Sequence, residues 1–119
     1  MTQTKLVLGV FLIATALGRP ALGQQLDGTL KKIKDSNTFT LGYLTSAPPF
    51  SFPGPDKSPV GYSIDLCKQI ASKIQQRLGT NLKLNWVPVT TENRLDMVAS
   101  GKVDIECGTS TATLSRQER

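Results

Sequence analysis

A helix-forming segment between two strand-forming segments is the feature that most restricts the fold of this chain. Between Ile64 and Leu78, apolar side chains recur with the period of an α-helix, and Gly79 follows as a stop signal. Residues 38–44 before it are rich in β-branched and aromatic side chains, and residues 81–87 after it alternate in polarity up to Pro88, which is expected to end that strand. Strand, helix and strand in this order predict parallel pairing through a right-handed crossover.

A second helix and a third strand extend this pattern. Thr90 or Thr91 can cap a helix that runs to Ser100, and residues 103–107 are again typical of a strand. A short helix is expected over 28–34, and Ser63 is the expected N-cap of the long helix. The sequence therefore predicts an α/β fold, a parallel sheet core with flanking helices, in which ligands bind beyond the carboxyl ends of the strands.

A proline-rich segment, residues 45–59, separates the first strand from the long helix. Its prolines exclude a helix interior and a sheet ladder, so we expect a loop. Phe50 is expected to pack beneath this loop rather than to contact a ligand, because exposed aromatic rings are costly.

The first residues are typical of an export signal. Lys5 precedes an apolar run from Leu6 to Leu17, and small residues precede Gln24, which predicts a secretory signal peptide at 1–23. The run is shorter than the roughly 20 residues that a membrane span needs, so a permanent anchor is the weaker interpretation. Residues 24–119 suffice for one small domain and not for two.

Composition argues against several classes of function. The net charge of +5 is mild, and the one basic cluster, Lys31, Lys32 and Lys34, lacks interleaved aromatics, so no nucleic-acid partner is expected. The chain has no histidine, which removes imidazole catalysis and the commonest metal ligand. The acids Asp104 and Glu106 lack a partner at catalytic spacing and are expected to cap helices or to be solvated. We therefore expect no catalytic residue, no metal site and no cofactor.

The two cysteines leave an alternative open. A disulfide between Cys67 and Cys107 is possible in an exported protein, but two cysteines fix no pairing. Cys67 lies on the apolar face of the long helix, where a thiol would be buried. We expect two buried free thiols.

A run of small hydroxyl residues follows the third strand and ends with an arginine at 116. Hydroxyls and free backbone N–H groups can donate to a carboxylate or a phosphate, and an arginine can add two parallel charge-assisted hydrogen bonds. Residues 108–116 therefore predict an anion-binding loop. The alternative is that the hydroxyls bond their own backbone and that Arg116 is a surface residue.

Several of these segments resemble a known family. The segment Gly61-Tyr62-Ser63-Ile64-Asp65-Leu66 resembles the signature of the periplasmic solute-binding proteins of polar amino-acid ABC importers, of the family 3 type. Pro48-Pro49-Phe50, Thr91-Glu92-Asn93-Arg94 and Gly101-Lys102-Val103-Asp104 follow in the family's order. Glu106-Cys107-Gly108 and Asn93-Arg94 are most similar to the glutamate/aspartate branch. Many family members have an acid in place of Ser63, a difference expected to affect the helix more than the choice of ligand.

The resemblance implies a role for individual residues. Arg116 would hold the ligand α-carboxylate, with the hydroxyl and N–H of Thr111 and Thr109 as further donors. The carbonyl of Gly108 would accept a hydrogen bond from the α-ammonium group. Arg94 could reach an acidic ligand side chain, although an arginine in a first helical turn is equally often solvated.

One position departs from that branch. Leu44 occupies the place where the dicarboxylate binders carry a second arginine. An apolar side chain cannot pair with a carboxylate, and an unpaired charge in a closed cleft costs several kcal/mol. The identity of the bound amino acid therefore stays open.

The resemblance implies an incomplete N-terminal lobe, residues 24–119, of a two-lobe periplasmic monomer that hands an amino acid to an ABC permease in the inner membrane. One lobe alone would offer half a site and bind weakly or not at all. The alternatives are an enzyme on the same fold, such as a dehydratase or a lytic transglycosylase, a sensor domain, or a truncated fragment without function.

Overall fold

The computed structural model describes residues 25–117, so the predicted signal peptide at 1–23 lies outside the described residues. The elements in chain order are α1 Gly28–Ser36, β1 Thr38–Leu44, β2 Phe52–Pro53, β3 Pro59–Val60, α2 Tyr62–Leu78, β4 Lys83–Val89, α3 Arg94–Ala99, β5 Ile105–Cys107 and α4 Leu114–Gln117.

The main sheet has three parallel strands in the order β4-β1-β5. Leu44 pairs with Val89, and Tyr43 pairs with Cys107, so all three strands end at the same edge. We call this edge, with the residues that follow each strand, the carboxyl edge. The parallel α/β sheet core expected from the sequence is confirmed.

Helices cover both faces of this sheet. Side chains along β1 alternate between the two faces, so each face has apolar residues that a helix can bury. On one face, Phe39 and Leu41 pack against Ile64 and Ala71 of α2. On the other face, Leu44, Val89 and Val103 form a smaller cluster with Met97 of α3. The carboxyl edge is therefore bordered by α2 on one side and by α3 on the other.

The structure confirms helix α2 as predicted but corrects its start. The helix ends at Gly79, which has the left-handed conformation (φ 65°), and it begins after Gly61, which occupies the N-cap position. The expected cap at Ser63 is wrong, because Ser63 lies inside the first turn. A Cβ atom at residue 61 would lie 2.3 Å from the carbonyl oxygen of Phe50, so only glycine allows the loop to pass this close.

Two expectations about prolines are wrong. Pro53 and Pro59 face each other in the small antiparallel β2-β3 ladder, although the segment was expected to form no ladder. Pro88 lies within β4, opposite Tyr43, instead of ending that strand. Both ladders tolerate proline because β4 is an edge strand and β2 and β3 are two residues long.

Two side-chain expectations are also wrong. Phe50 is 43% exposed, and its ring meets the edge of Tyr62 at a centroid distance of 6.4 Å, instead of packing in the core. Cys67 and Cys107 are joined by a disulfide and are not free thiols. The crossover places α2 over β5 with the two Cα atoms 6.2 Å apart, within the usual range for a disulfide, and this proximity depends on the tertiary fold.

Candidate functional site

The carboxyl edge collects the polar residues that the sequence singled out. Leu44 ends β1, Arg94 begins α3 shortly after β4, and Gly108 follows β5 directly. Because the strands are parallel and in register, these residues leave the sheet at the same edge.

The loop after β1 is fixed to the strand by a serine side chain. Ser51 is fully buried, and its Oγ accepts a hydrogen bond from the Leu44 N–H at 2.9 Å and donates to the Leu44 carbonyl at 3.1 Å. Leu44 itself is buried on the α3 side of the sheet. The position where an arginine was expected in the dicarboxylate binders is thus a packed apolar side chain.

Gly108 is held from two sides. The Ser63 hydroxyl donates to the Gly108 carbonyl at 2.8 Å, which links the first turn of α2 to the end of β5. A Cβ atom at residue 108 would lie 2.0 Å from Oε1 of Glu106 and 2.8 Å from Cδ1 of Leu44. A side chain at this position would therefore displace the buried side chains of Glu106 and Leu44. Ser63 therefore contacts the loop that is expected to bind the ligand, in addition to its place in the helix.

Arg94 and Glu106 form a buried charge pair. Their side chains are 7% and 9% exposed, and Nη1 of Arg94 lies 3.8 Å from Oε1 of Glu106. This distance is longer than a hydrogen bond, and Nε and Nη1 of Arg94 and Oε1 of Glu106 have no hydrogen-bond partner among the described residues. The expectation that Glu106 caps a helix or is solvated is wrong.

Asp104 serves the sheet instead. Its carboxylate accepts from Nζ of Lys32 at 2.8 Å and from the Thr40 N–H at 2.9 Å, and its side chain is 2% exposed. The contact with the Thr40 N–H joins the residue before β5 to β1. Asp104 is therefore structural and buried rather than solvated.

The hydroxyl run is exposed. Thr109 and Thr111 are both exposed, and none of the backbone N–H groups of 109–113 donates to a carbonyl of another described residue. Arg116, in α4, turns its side chain back so that Nη1 donates to the Thr111 carbonyl at 2.8 Å. The free N–H groups and the guanidinium are thus available on one short loop to bind an anion.

A groove beside α3 reaches from this loop to Glu106. It has a volume of about 390 Å³, and its lining includes Glu106, Ser110 and Arg116 together with residues of α3. The groove thus runs along α3 and the edge of β5, from Arg116 to Asp104.

Three residues of this edge were missed by sequence reasoning or given another role. Ser51 carries no sequence signal, since its importance depends on the turn that brings it back to Leu44. Ser63 stood in a signature segment but was assigned to capping. Glu106 was set aside because its partner Arg94 lies on another element, although both residues belong to the segments that resemble the glutamate/aspartate branch.

Within residues 25–117, no group of side chains is arranged to hold a metal ion. Within the same range, none of the helices has the length and apolar character of a membrane span.

Comparison with known proteins places the chain. Residues 39–119 match the model of the bacterial extracellular solute-binding proteins, family 3. An L-glutamate/L-aspartate-binding protein of Pseudomonas aeruginosa is 37% identical over 95% of this chain, which spans 38% of that relative's length.

Solved structures support the same family. The ancestral amino acid-binding protein AncCDT-1, a precursor of cyclohexadienyl dehydratase, has a TM-score of 0.68 at 28% identity and matches 77% of this chain and 38% of its own. A point mutant of the arginine-bound form of domain 1 from TmArgBP has a TM-score of 0.63 at 28% identity and matches 75% of this chain and 64% of its own. The match over residues 39–119 shows that this chain belongs to family 3 of the bacterial extracellular solute-binding proteins, near the glutamate/aspartate branch.

Proposed function

We propose that this protein binds an amino acid in the periplasm and delivers it to an ABC permease in the inner membrane. The observation that carries the proposal is the loop after β5, where free backbone N–H groups and the Arg116 guanidinium are available at the carboxyl edge of a parallel sheet. The name of the Pseudomonas relative, which states glutamate and aspartate binding, supports an amino acid as the ligand.

Both charged groups of the ligand backbone have a binding partner in this loop. The α-carboxylate is held by Arg116 and by donors of Thr109 and Thr111, because a guanidinium and N–H groups are strong partners of a carboxylate. The α-ammonium group donates to the carbonyl of Gly108. That carbonyl already accepts from Ser63, but a carbonyl oxygen has two lone pairs and can accept a second hydrogen bond.

Binding is tested by isothermal calorimetry of the full-length gene product against the common amino acids. We expect saturable binding of one amino acid or of a small group. Arg116→Ala should weaken binding by roughly tenfold to a hundredfold or more, because hydrogen bonds to charged groups contribute about 1.5–3 kcal/mol each. Arg116→Lys should recover only part of this loss, since lysine lacks the planar two-pronged geometry.

Lys34→Ala is the matched control for charge. It removes one exposed positive charge from α1 and should leave the affinity unchanged. Equal loss in both variants would show a general effect of net charge, and full affinity in Arg116→Ala would refute the carboxylate role. Absence of heat with every amino acid, together with turnover of a prephenate-like substrate or of peptidoglycan, would favour the enzyme alternative.

The half-site expectation is tested with residues 24–119 alone. We expect weak binding or none, because the resemblance implies an acidic partner for the α-ammonium group in the second lobe. Domain 1 of TmArgBP has been solved in an arginine-bound form, and this chain matches 64% of that domain. Micromolar or tighter binding by residues 24–119 would show that these residues form a sufficient site.

A further inference from the structure

We propose that the Ser63 hydroxyl is a positioning group, which holds the Gly108 carbonyl in the direction from which it accepts a hydrogen bond from the α-ammonium group of an amino acid. The inference rests on the proposed amino-acid binding and gives a role in it to a residue of α2, outside the loop that follows β5. The role of Ser63 is to orient the acceptor, and the acceptor contacts the amino acid.

The first step is where the sheet stops supporting the backbone. Cys107 is held from two directions, since it pairs with Tyr43 in the sheet and its sulfur is bonded to Cys67 of α2. After it, no backbone N–H group within residues 25–117 donates to the Gly108 carbonyl, and none of the N–H groups of 109–113 donates to a backbone carbonyl. The Gly108 carbonyl therefore lies at the point where the sheet no longer fixes the direction of a peptide group.

The second step is the contact that takes over at this point. Oγ of Ser63 lies 2.8 Å from the Gly108 carbonyl oxygen, and this hydrogen bond is half-buried. Ser63 is in the first turn of α2, and Cys67 lies one turn further along the same face of the helix. One helix face thus holds two successive residues at the end of β5, the first by a disulfide and the second by a hydrogen bond.

The third step is the other side of Gly108. A Cβ atom at residue 108 would meet Oε1 of Glu106 and Cδ1 of Leu44, so these two side chains limit where the backbone can lie. A carboxylate and an apolar side chain do not donate to a carbonyl, so they do not set the direction in which it points. Glycine restricts its own backbone less than other residues do, so loss of the Ser63 hydrogen bond leaves this carbonyl free to turn.

The fourth step is the capacity of the carbonyl. Its oxygen has two lone pairs, so it accepts from Ser63 and from an α-ammonium group at the same time. The Ser63 hydrogen bond uses one lone pair and fixes the plane that contains the other. An acceptor that is already oriented loses less conformational freedom when the ligand binds, which raises the affinity.

Calorimetry of the full-length gene product tests the inference. The probes are the common L-amino acids and, for the one that binds most tightly, the same molecule without its amino group, which is glutarate in the case of L-glutamate. Ser63→Ala should lower the affinity for the amino acid about fivefold, the effect of roughly one hydrogen bond, and should leave the affinity for the des-amino molecule unchanged. Ser63→Thr keeps the hydroxyl and should retain most of the affinity.

Two further variants separate positioning from other effects. Ser72→Ala removes an exposed hydroxyl from the same helix and should leave both affinities unchanged. Arg116→Ala should weaken the amino acid and the des-amino molecule alike, because both carry the carboxylate that Arg116 is proposed to hold. The ratio of the two affinities therefore changes at Ser63 and stays similar at Arg116.

Several results would overturn the inference while amino-acid binding stands. They are full amino-acid affinity in Ser63→Ala, an equal loss for the amino acid and the des-amino molecule, and no recovery in Ser63→Thr. A Ser63→Ala protein that does not fold would also overturn it, because the hydroxyl would then support the whole structure. If the des-amino molecule does not bind the unmodified protein, recovery by Ser63→Thr decides. No binding of any amino acid by the unmodified protein would overturn the proposed function and the inference with it.

Discussion

Two halves of one segment differ sharply in how they are held. Residues 105–108, the anchored end, are fixed by the disulfide of Cys107, by the Ser63 hydroxyl on Gly108 and by the position of Glu106 beside Arg94. Residues 109–117, the open end, are exposed, and their hydrogen bonds within the described part of the chain are local, such as the bond from Arg116 to the Thr111 carbonyl and the backbone hydrogen bonds to Thr113.

This difference indicates a division of labour. The anchored end has its geometry set by buried contacts with α2 and α3. The open end keeps its donors free, so it is suited to capture a carboxylate. Substitutions at the anchored end should therefore change stability, and substitutions at the open end should change affinity alone.

The largest expected effect comes from reducing the disulfide. Cys67 and Cys107 are 40 residues apart, and loss of a bond that closes such a loop should lower the free energy of unfolding by about 2–5 kcal/mol. Urea unfolding of the full-length gene product with and without dithiothreitol measures this loss. The Cys67→Ser/Cys107→Ser double variant should match the reduced protein and should not respond to dithiothreitol. Equal stability of the oxidised and reduced proteins would show that the disulfide does not anchor β5.

A smaller effect is expected at the boundary between the two ends. Gly108→Ala places a methyl group 2.0 Å from Oε1 of Glu106, so the glutamate or the loop must move, at a cost of about 1–3 kcal/mol. Thr109→Ala, one residue along, removes an exposed side chain and should change stability by less than about 0.5 kcal/mol. Denaturant midpoints of both variants test this contrast. Similar losses of stability at residues 108 and 109 would show that the anchored end and the open end do not meet between these two residues.

Much of the scaffold could be predicted because its signals are local. The apolar period of α2 and the strand-type composition of β1 are readable within a few residues, and parallel pairing follows from their order. The same holds for the open end, where hydroxyl residues and an arginine stand close together in the sequence.

The anchored end could not be predicted because its partners are distant in sequence. Cys67 meets Cys107 and Ser63 meets Gly108 only when α2 crosses over β5. Arg94 meets Glu106 only when α3 packs on the opposite face, so each residue looked solvated or unpaired in isolation. Local chemistry thus predicts an anion-binding role for the open end, which stays a prediction, whereas the buried polar contacts required the tertiary structure.

Substitution of Ser63 tests whether its hydroxyl stabilises helix α2 itself or the loop after β5. Ser63→Ala removes the hydrogen bond to the Gly108 carbonyl and should lower the free energy of unfolding by about 1 kcal/mol. Ser72→Ala on the same helix changes an exposed serine and should be neutral or slightly stabilising, because alanine is the better helix former. Urea unfolding of both variants gives the comparison. A loss at Ser72 equal to that at Ser63 would mean that serine in α2 matters for the helix and not for the loop.

The smallest effect on stability is expected at the open end. Arg116→Ala removes an exposed side chain whose hydrogen bond to the Thr111 carbonyl lies in solvent, so the free energy of unfolding should change by less than about 0.5 kcal/mol. The same variant is expected to lose ligand affinity, and thermal unfolding with and without a saturating amino acid measures both quantities on one sample. The ligand should raise the unfolding temperature of the unmodified protein but not that of the variant, since stabilisation by a ligand follows its affinity. A destabilisation above about 1 kcal/mol without ligand would show that Arg116 supports the fold. The anchored end and the open end would then both contribute to stability.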